Sequence, residues 1–580
     1  MKIRQLHRSA GFGRSVRRGL CLLLSGVLTA GLLTGCGAET SSEVQNDVAV
    51  VNYDTTGQYV LNDETGEAII SGMSSASDVV LTDADNEIVF YQIFVGSFSD
   101  SDGDGIGDLR GIINRFDYLN DGEDFSGESL GVEGIWLSPI FESPSYHKYD
   151  VTDYYAVDDD FGTMDDLIEL VNLCHERGVK IILDLPINHT GSKNQWFLDF
   201  CTAHRQDDTE NEYYDFYSYN SVGNENGKAY YKISAADEYY EGNFSSDMPE
   251  LNFDNDEVRD AVVDIARYYL EDIGVDGFRF DAAKYIYYGN TAESVDFWVW
   301  YMDQLTQIDP DIYTVAEVWS GDNEVISYNE ALNCFNFTMS QVEGKISETA
   351  KKGDANKYVS YLDYYVDSIQ AERSDAFPVL FLANHDTDRA AGYMTLASGM
   401  AQVAANLYIL TPGSCVIYYG EEIAMKGTRG GSNTDANRRL AMFWGDGDTV
   451  EDPEGATYEA SKQTNGSVAD QLGNGASLYN YYKKLIMIRK ANPEIALGEF
   501  TPLSFSDTRV GGFVSTYEGS CVCVIHNTTG STETIDLSEA TGLSFTEINA
   551  SIGYIGEDYV EASLDGTILT IPAQTSVVLR

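Results

Sequence analysis

The stretch KIILDLPINH, residues 180–189, is a short apolar run that closes on polar and charged residues. The same pattern recurs from Ile88 onward, separated by longer stretches of helical character. Apolar strands that alternate with helices are typical of β/α units around a parallel sheet. Six further runs fit this pattern: IVFYQIFV at 88–95, GIWLS at 134–138, GFRF at 277–280, YTVAE at 313–317, VLFLAN at 379–384 and CVIYYG at 415–420.

The length of this alternation predicts an α/β fold, an eight-stranded (β/α)8 TIM barrel whose active site lies at the carboxyl ends of the strands. Two regions depart from it. Residues 190–252 are rich in Tyr, Asn and Asp without a strand–helix rhythm, which predicts a small domain inserted after strand 3. Residues 494–580 alternate apolar and polar side chains, which predicts a C-terminal antiparallel β-sandwich. The barrel would then occupy residues 87–189 and 253–493.

The amino terminus carries six basic residues and then an apolar stretch from Leu20 to Leu33. This stretch is short for a spanning helix but suits a secretory signal. It ends in Leu33-Thr34-Gly35-Cys36, which resembles a bacterial lipobox with cleavage before Cys36 and acylation of its thiol. We therefore expect a lipoprotein signal over 1–36, a tether over 37–86, and a protein held at the extracellular face of the cell membrane by this lipid anchor alone.

The composition is strongly acidic, with 36 Lys and Arg against 93 Asp and Glu and a formal net charge of −57. Such a surface repels phosphate backbones, which argues against a nucleic-acid partner. The six cysteines after Cys36 are scattered, so neither a disulfide framework nor a zinc site is indicated. Nothing in the sequence indicates the oligomeric state.

Four carboxylates close predicted strands, and strand ends on one rim of a barrel converge in space. Hydrolysis of an acetal needs two carboxyl groups, one to attack or stabilise the oxocarbenium-like centre and one to protonate the leaving oxygen. A third carboxylate can hold sugar hydroxyls. The four are Asp184 in DLPINH, Asp281 in GFRFDAAKY, Glu317 in AEVW and Asp386 in LANHD.

These motifs resemble those of glycoside hydrolase family 13, the α-amylase family, over residues 88–580. DLPINH, GFRFDAAKY, EVW and FLANHD resemble its four conserved regions in family order, with MPELN at 248–252 and GIWLSPI at 134–140 in support. The resemblance implies a retaining enzyme that acts on α-glucans such as starch and maltooligosaccharides.

By position, the resemblance implies Asp281 as nucleophile, Glu317 as general acid/base and Asp386 as transition-state stabiliser. It also implies substrate contacts, and one departure stands out, because Tyr285 occupies a position where many α-amylases have His. Asp184 is interpreted as mainly structural. The implied substrate-binding residues are Tyr149, His189, Arg279, Lys284 and His385.

The chemistry of these positions agrees with those roles. Arg279 precedes Asp281 by two residues on the same strand face, so its cation can keep that carboxylate ionised. Glu317 must instead have a raised pKa, so that it holds a proton for delivery near neutral pH.

A separate signal is SDSDGDGIGDLRGI at 99–112, where oxygen-bearing residues alternate along a glycine-kinked loop. The pattern resembles the start of an EF-hand but lacks the distal Glu, and it follows a strand instead of a helix. The resemblance implies a structural Ca²⁺ ion after the first barrel strand, and Asn188 as part of a second site. The expected ligands are Asp100, Asp102, Asp104, the carbonyl of Ile106 and Asp108.

Specificity within the family stays open. MPELN resembles the version shared by a group intermediate between oligo-1,6-glucosidases and neopullulanases, which includes bacterial α-amylases. Tyr146 stands where exo-acting oligoglucosidases have an Asp that closes the pocket, which favours an open cleft and endo action on α-1,4 chains. The alternatives are an exo-acting or α-1,6-glucosidase, a neopullulanase, a 4-α-glucanotransferase, or a non-catalytic glucan-binding lipoprotein, in which the three acids would have been lost.

Overall fold

The computed structural model describes residues 69–70, 77, 79, 85–123, 129–432, 434–506, 509–539, 542–554 and 561–580. The predicted signal segment and Cys36 lie outside these residues. Among the described helices, none combines the length and apolar character that crossing a bilayer requires.

Eight parallel strands form one sheet, which confirms the predicted barrel. The strands are β1 Val89–Ile93, β2 Gly134–Leu137, β3 Lys180–Leu185, β4 Gly277–Phe280, β5 Tyr313–Ala316, β6 Asn333–Cys334, β7 Val379–Phe381 and β8 Ser414–Tyr418. They pair in the order β6-β5-β4-β3-β2-β1-β8-β7, and a parallel bridge between Phe335 and Val379 joins the two ends of that order. The strand β6 was not predicted, because it is only two residues long.

Helices follow most of these strands and cover the sheet. The α-helices are Leu109–Asn114, Phe116–Leu119, Met164–Glu176, Gln195–Gln206, Asp256–Arg267, Thr291–Ile308, Asp322–Tyr328, Lys345–Lys352, Ala355–Glu372, Met400–Ile409, Val468–Leu472, Leu478–Ala491 and Glu494–Leu497. A π-helical segment, Tyr268–Ile273, continues the fifth of them. Short 3-10 segments are Val95–Ser97, Ala283–Tyr285, Ala390–Gly392, Leu396–Ser398, Gly430–Ser432, Asp435–Arg438, Ala460–Lys462 and Leu537–Glu539.

Alternate residues of the barrel strands pack in two different apolar clusters, one inside the barrel and one between the strands and the helices. Phe90 of β1 and Trp136 of β2 belong to a cluster with inward positions of other strands, whereas Tyr91 and Ile135 pack in the larger cluster that includes the helices. Because neighbouring residues of a strand point to opposite faces, this split follows directly from the strand geometry.

The region after β3 contains the helix Gln195–Gln206 and a small antiparallel sheet of Tyr219–Asn220, Tyr230–Lys232 and Tyr239–Glu241. Short antiparallel strands Phe141–Glu142 and Asp153–Val157 lie between β2 and β3.

The carboxyl-terminal region consists of antiparallel sheets, as predicted. One contains Glu499–Leu503, Val510–Tyr517, Ser520–Asn527, Ile548–Gly553 and Thr575–Leu579, and the other contains Glu533–Asp536, Ser563–Asp565 and Ile568–Ile571. Residues of both sheets share one buried apolar cluster, which is the packing expected of a sandwich.

Part of the predicted tether is not a simple spacer. Ile69–Ile70 form a strand that pairs antiparallel with Ile552 and Gly553 of the carboxyl-terminal sheet. The Ser77 N–H donates to the carbonyl of Ala491 at 2.9 Å. At these positions the backbone is hydrogen-bonded to the folded body.

Candidate active site

The strand register brings the predicted acids together. Arg279 of β4 is the direct neighbour of Asp184 of β3. Asp281 follows β4 immediately, and Glu317 follows β5 immediately. Asp386 lies in the segment after β7. The carboxyl ends of the strands thus collect all four carboxylates at one rim, as expected for a barrel.

Arg279 joins three of these acids. Its Nη1 lies 2.6 Å from Asp184 Oδ1 and 2.6 Å from Asp281 Oδ1, and its Nη2 donates to Glu317 Oε2 at 2.7 Å. Arg279 and Asp184 are buried, whereas the side chains of Asp281 and Glu317 remain 12% and 13% exposed. One fixed guanidinium therefore holds two carboxyl groups that still face the cleft.

The segment after Asp281 is hydrogen-bonded to Glu317. Ala282 has a left-handed backbone with φ 49°, which is uncommon for a residue with a side chain. Its N–H donates to Glu317 Oε2 at 3.2 Å, and the Ala283 N–H donates to the Glu317 carbonyl at 3.0 Å. The strained turn thus fixes the positions of Asp281 and Glu317 relative to each other.

Asp386 is held from two sides. Its Oδ2 lies 3.0 Å from His385 Nε2, and its Oδ1 accepts from Arg439 Nη2 at 2.7 Å. Arg439 also donates to the His385 carbonyl at 3.1 Å and to the Tyr146 hydroxyl at 3.1 Å. The side chain of Asp386 is 27% exposed, so one face of its carboxylate can reach a ligand.

Tyr149 and the two histidines complete the same cluster. The Tyr149 hydroxyl donates to Asp184 Oδ2 at 2.9 Å and lies 2.7 Å from His385 Nε2. The Tyr149 and His385 rings are stacked, with centroids 5.7 Å apart. His189 is buried, and its Nε2 has no hydrogen-bond partner among the described residues. The structure thus brings all of these predicted substrate-binding residues to the same rim.

Burial dominates the titration of the acids around Arg279. It raises the pKa of Glu317 to about 7, against the opposing effect of the guanidinium. It likewise raises the pKa of Asp281, and that of Asp184 to about 8. The direction for Glu317 is the one expected from the sequence. The raised pKa of Asp281 is contrary to the expectation that Arg279 keeps this carboxylate ionised. Arg279 is shared among three carboxylates, and burial outweighs its effect.

Asp386 behaves differently. Burial opposes its ionisation, but His385 and Arg439 hold the pKa of its carboxyl well below the usual range. Burial lowers the pKa of His385, and that of His189 to about 4. Burial therefore favours the neutral form of both imidazoles, and the Arg439 guanidinium favours the ionised form of Asp386.

Arg439 and Gln92 belong to this cluster but were not predicted from the sequence. Arg439 lies in an irregular segment far along the chain from β7, where no strand or motif signal marks it. Gln92 is on the inner face of β1, and its Nε2 lies 2.7 Å from His385 Nδ1. Only the polar residue inside the apolar run IVFYQIFV could have indicated it.

Lys284 and its neighbours lie beside the acid pair. Lys284 Nζ donates to the carbonyl of Trp319 at 2.7 Å, and Tyr285 packs against Phe244 of the inserted region with ring centroids 4.6 Å apart. The predicted contact residue Lys284 therefore joins the turn after Asp281 to the segment after Glu317, with its ammonium 5.5 Å from the Tyr285 ring centroid.

The acidic loop after β1 gathers three of its predicted ligands. One oxygen from each of Asp100, Asp102 and Asp108 lies within 4.8 Å of the others. Asp104 lies outside that group, and its Oδ1 accepts from the Ile106 N–H at 2.8 Å. An all-oxygen donor set of this kind suits a hard divalent cation.

Asn188, the residue expected at a second cation site, is hydrogen-bonded to a buried carboxyl group. Asn188 Nδ2 donates to Glu250 Oε2 at 2.5 Å, while its Oδ1 has no partner among the described residues. Burial raises the pKa of Glu250 to about 8. This pair links the segment after β3 to the end of the inserted region.

Comparison with known proteins agrees with this arrangement. The family model described as alpha amylase, catalytic domain, matches residues 92–498. Alpha-amylase 3 of Dictyoglomus thermophilum is 34% identical over 453 residues, covering 76% of this chain and 84% of that protein. Oligo-1,6-glucosidase of Bacillus cereus is 29% identical, covering 80% and 94% respectively. The solved structure of Eubacterium rectale Amy13B has a TM-score of 0.78 and 33% identity, covering 87% of this chain and 97% of that one.

Proposed function

The chain belongs to the α-amylase family of glycoside hydrolases, and from this premise we propose that it cleaves internal α-1,4-glucosidic bonds of starch and maltooligosaccharides with retention of configuration. The observation that carries this proposal is the shared guanidinium. Arg279 contacts Asp281 at 2.6 Å and Glu317 at 2.7 Å, which holds a nucleophile and an acid on one wall of the cleft.

The reaction then proceeds in two displacements. Asp281 attacks the anomeric carbon while Glu317 protonates the glycosidic oxygen, which leaves with its sugar chain. A covalent glycosyl ester on Asp281 results. Water then attacks the same carbon, Glu317 accepts its proton, and the Asp281 carboxylate is released, so that the product keeps the α configuration.

The titration of the cluster supports these roles. With one proton at Glu317, whose pKa is about 7, Asp281 can remain an anion beside the guanidinium. Asp386 stays ionised and can bind sugar hydroxyls as positive charge develops on the ring. The neutral His189, whose Nε2 has no partner among the described residues, can donate a hydrogen bond to the same sugar, and the Tyr149 ring supplies an apolar face.

Endo action is supported at Tyr146. Its hydroxyl accepts from Arg439, so this position offers no carboxylate to bind the terminal sugar of a chain. A direct test is to follow amylose viscosity against released reducing ends. A steep early fall in viscosity supports endo action. Release of glucose alone, or of panose from pullulan, would assign the enzyme to the exo-acting, α-1,6-specific or neopullulanase alternatives.

We further propose that the loop of Asp100, Asp102 and Asp108 holds a structural Ca²⁺ ion. The three carboxylates supply hard oxygen ligands, and Gly103 and Gly105, with φ of 90° and 94°, allow the tight turn between them. The ion would neutralise the clustered charge and stabilise the loop after β1.

We expect chelation to lower the melting temperature by several degrees, because calcium at about 100 times its Kd stabilises the folded state by about 2.7 kcal/mol. Asp102→Asn is the sharpest variant, since this side chain is exposed and its described hydrogen bond is only to the Asp104 N–H. The variant should melt at the chelated temperature with or without calcium, as measured by scanning calorimetry. Asp303→Asn, on an exposed helix surface, serves as control. Equal melting temperatures under all conditions would contradict the site.

We also propose attachment to the outer face of a bacterial membrane through Cys36. The support is the sequence alone, an apolar stretch that ends in Leu33-Thr34-Gly35-Cys36. Detergent should be required to release the protein from washed membranes, whereas Cys36→Ser should free it. Release of the unaltered protein without detergent would contradict the anchor.

A further inference from the structure

Asp388, two residues after Asp386, accepts three hydrogen bonds from a distant part of the chain. Its Oδ1 accepts from Arg438 Nε at 2.8 Å and from the Arg429 N–H at 3.0 Å, and its Oδ2 accepts from the Thr428 hydroxyl at 2.8 Å. The three donors lie 40 to 50 positions later in the sequence. One carboxylate therefore fixes where this later segment lies beside the residues that follow β7.

Arg438 connects Asp388 to the main chain of Asp386. Its Nη1 donates to the Asp386 carbonyl at 2.7 Å and to Asp435 Oδ1 at 2.7 Å, while its Nε donates to Asp388. The next residue, Arg439, donates from Nη2 to the Asp386 carboxylate at 2.7 Å. Two consecutive arginines thus hold the backbone and the side chain of one residue, and the fixed geometry of each guanidinium directs these bonds.

Arg389 attaches the same arrangement to the barrel. Its Nε donates to the Arg438 carbonyl at 3.0 Å, and its Nη1 donates to the Tyr419 carbonyl at 2.6 Å. Its guanidinium carbon lies 4.4 Å and 4.5 Å from the ring centroids of Tyr418 and Tyr419. Because Tyr418 is the last residue of β8, these contacts join the segment of Arg438 to a barrel strand.

Asp386 needs such support because no strand places it directly. The strand β7 ends at Phe381, five positions before Asp386, whereas Asp281 and Glu317 each follow a strand immediately. The sheet register therefore determines the positions of Asp281 and Glu317 but not that of Asp386. Its position matters for the rate, because a misplacement of about 1 Å at an active site can cost about 10²-fold.

We propose that Asp388 and Arg438 are positioning residues, which hold Asp386 where it stabilises the charge that develops on the sugar ring. This inference rests on the proposed hydrolytic function and extends it to two residues that act through Asp386. The hydrogen bonds described for Arg438 all go to protein groups. Its contribution should therefore appear in the transition state and not in the binding of the unreacted sugar.

The test measures kcat and KM on maltoheptaose for Arg438→Met, which keeps most of the side-chain volume but removes every hydrogen bond of the guanidinium. We expect kcat to fall about 10- to 100-fold and KM to change less than about threefold. Arg438→Lys keeps the cation but not the planar fork, so its kcat should lie between the two. The matched control is Arg267→Met, which breaks an exposed pair with Asp264 and should change neither constant.

A double-mutant cycle tests whether Asp388 and Arg438 act together. Asp388→Ala should lower kcat by a factor similar to that of Arg438→Met. Combining the two should lower kcat little further, because each change already breaks the same link to Asp386. Losses that multiply would show that the two residues act independently, and would contradict the proposal.

A transition-state mimic separates positioning from a purely structural role. The inhibition constant of acarbose, whose cationic ring resembles the transition state, should rise by the factor by which kcat/KM falls. If Arg438→Met lowered only the melting temperature, or raised KM with kcat unchanged, the positioning role would be wrong.

If Arg438→Met failed to fold, the milder variants Arg438→Lys and Asp388→Asn would decide the question. A kcat within about twofold of the unaltered value in both would overturn the positioning role but not the hydrolase. No turnover of any α-glucan by the unaltered protein would instead overturn the proposed function.

Discussion

Asp281→Asn is expected to lower kcat on maltoheptaose by about 10⁴-fold or more, because an amide cannot form the glycosyl ester. The substitution conserves volume, and the amide oxygen can still accept the bond that Arg279 Nη1 makes at 2.6 Å. Substrate binding should therefore survive, with KM changed far less than kcat. Initial-rate measurement of reducing ends gives the result.

Asp303→Asn is the control for this variant, since it makes the same chemical change on an exposed surface of the helix Thr291–Ile308. Its rate should equal that of the unaltered protein. If Asp281→Asn retained more than about a tenth of the activity, the assignment of Asp281 as the nucleophile would be wrong.

Glu317→Gln should lower kcat on maltoheptaose by about 10²- to 10⁴-fold, the usual contribution of a positioned general acid. The loss should be smaller for an aryl α-maltoside, because its leaving group needs little protonation. Added azide should recover part of the aryl-substrate rate, since a small anion can enter without base assistance. Glu293→Gln, in the exposed first turn of the helix Thr291–Ile308, is the matched control.

The same variant tests the pH dependence. Glu317 acts as an acid and must be protonated, and its pKa is raised from 4.5 to about 7. The kcat/KM of the unaltered protein should therefore be maintained up to about pH 7 and fall tenfold per pH unit above it. Glu317→Gln should lack this alkaline limb. An identical limb in both proteins would assign the proton to another group, with Asp184 the first candidate, since its pKa is about 8.

The barrel could be predicted because its strands are self-contained apolar runs. The runs KIILDL and GFRF form the strands Lys180–Leu185 and Gly277–Phe280, with the bounds that the sequence predicts. The strand Asn333–Cys334 was missed because two residues carry no periodicity, and its place depends on pairing with Val315 and Ala316.

The site was partly predictable for a similar reason. Asp281 and Glu317 directly follow strands, so the register of the sheet determines their convergence. Arg439 was not predictable, because it reaches Asp386 from an irregular segment across 53 positions of sequence. Likewise, the pKa direction of Asp281 depends on how many carboxylates share Arg279, which spacing along one strand cannot reveal.

The pairing of Ile69 and Ile70 with the carboxyl-terminal sheet could not be predicted from composition. Ile69 and Ile70 lie in a polar stretch, but they pair with a sheet that begins more than four hundred positions later, a contact that local composition cannot indicate.

The most direct test of the central claim is to trap the covalent intermediate. Incubation with a 5-fluoro-α-glycosyl fluoride, which forms the ester readily but releases it slowly, should inactivate the enzyme and add one glycosyl mass. Peptide mass spectrometry should then locate that mass on Asp281, and Asp281→Asn should remain unlabelled. Label on another carboxylate, or turnover with inversion and no labelled peptide, would contradict the account.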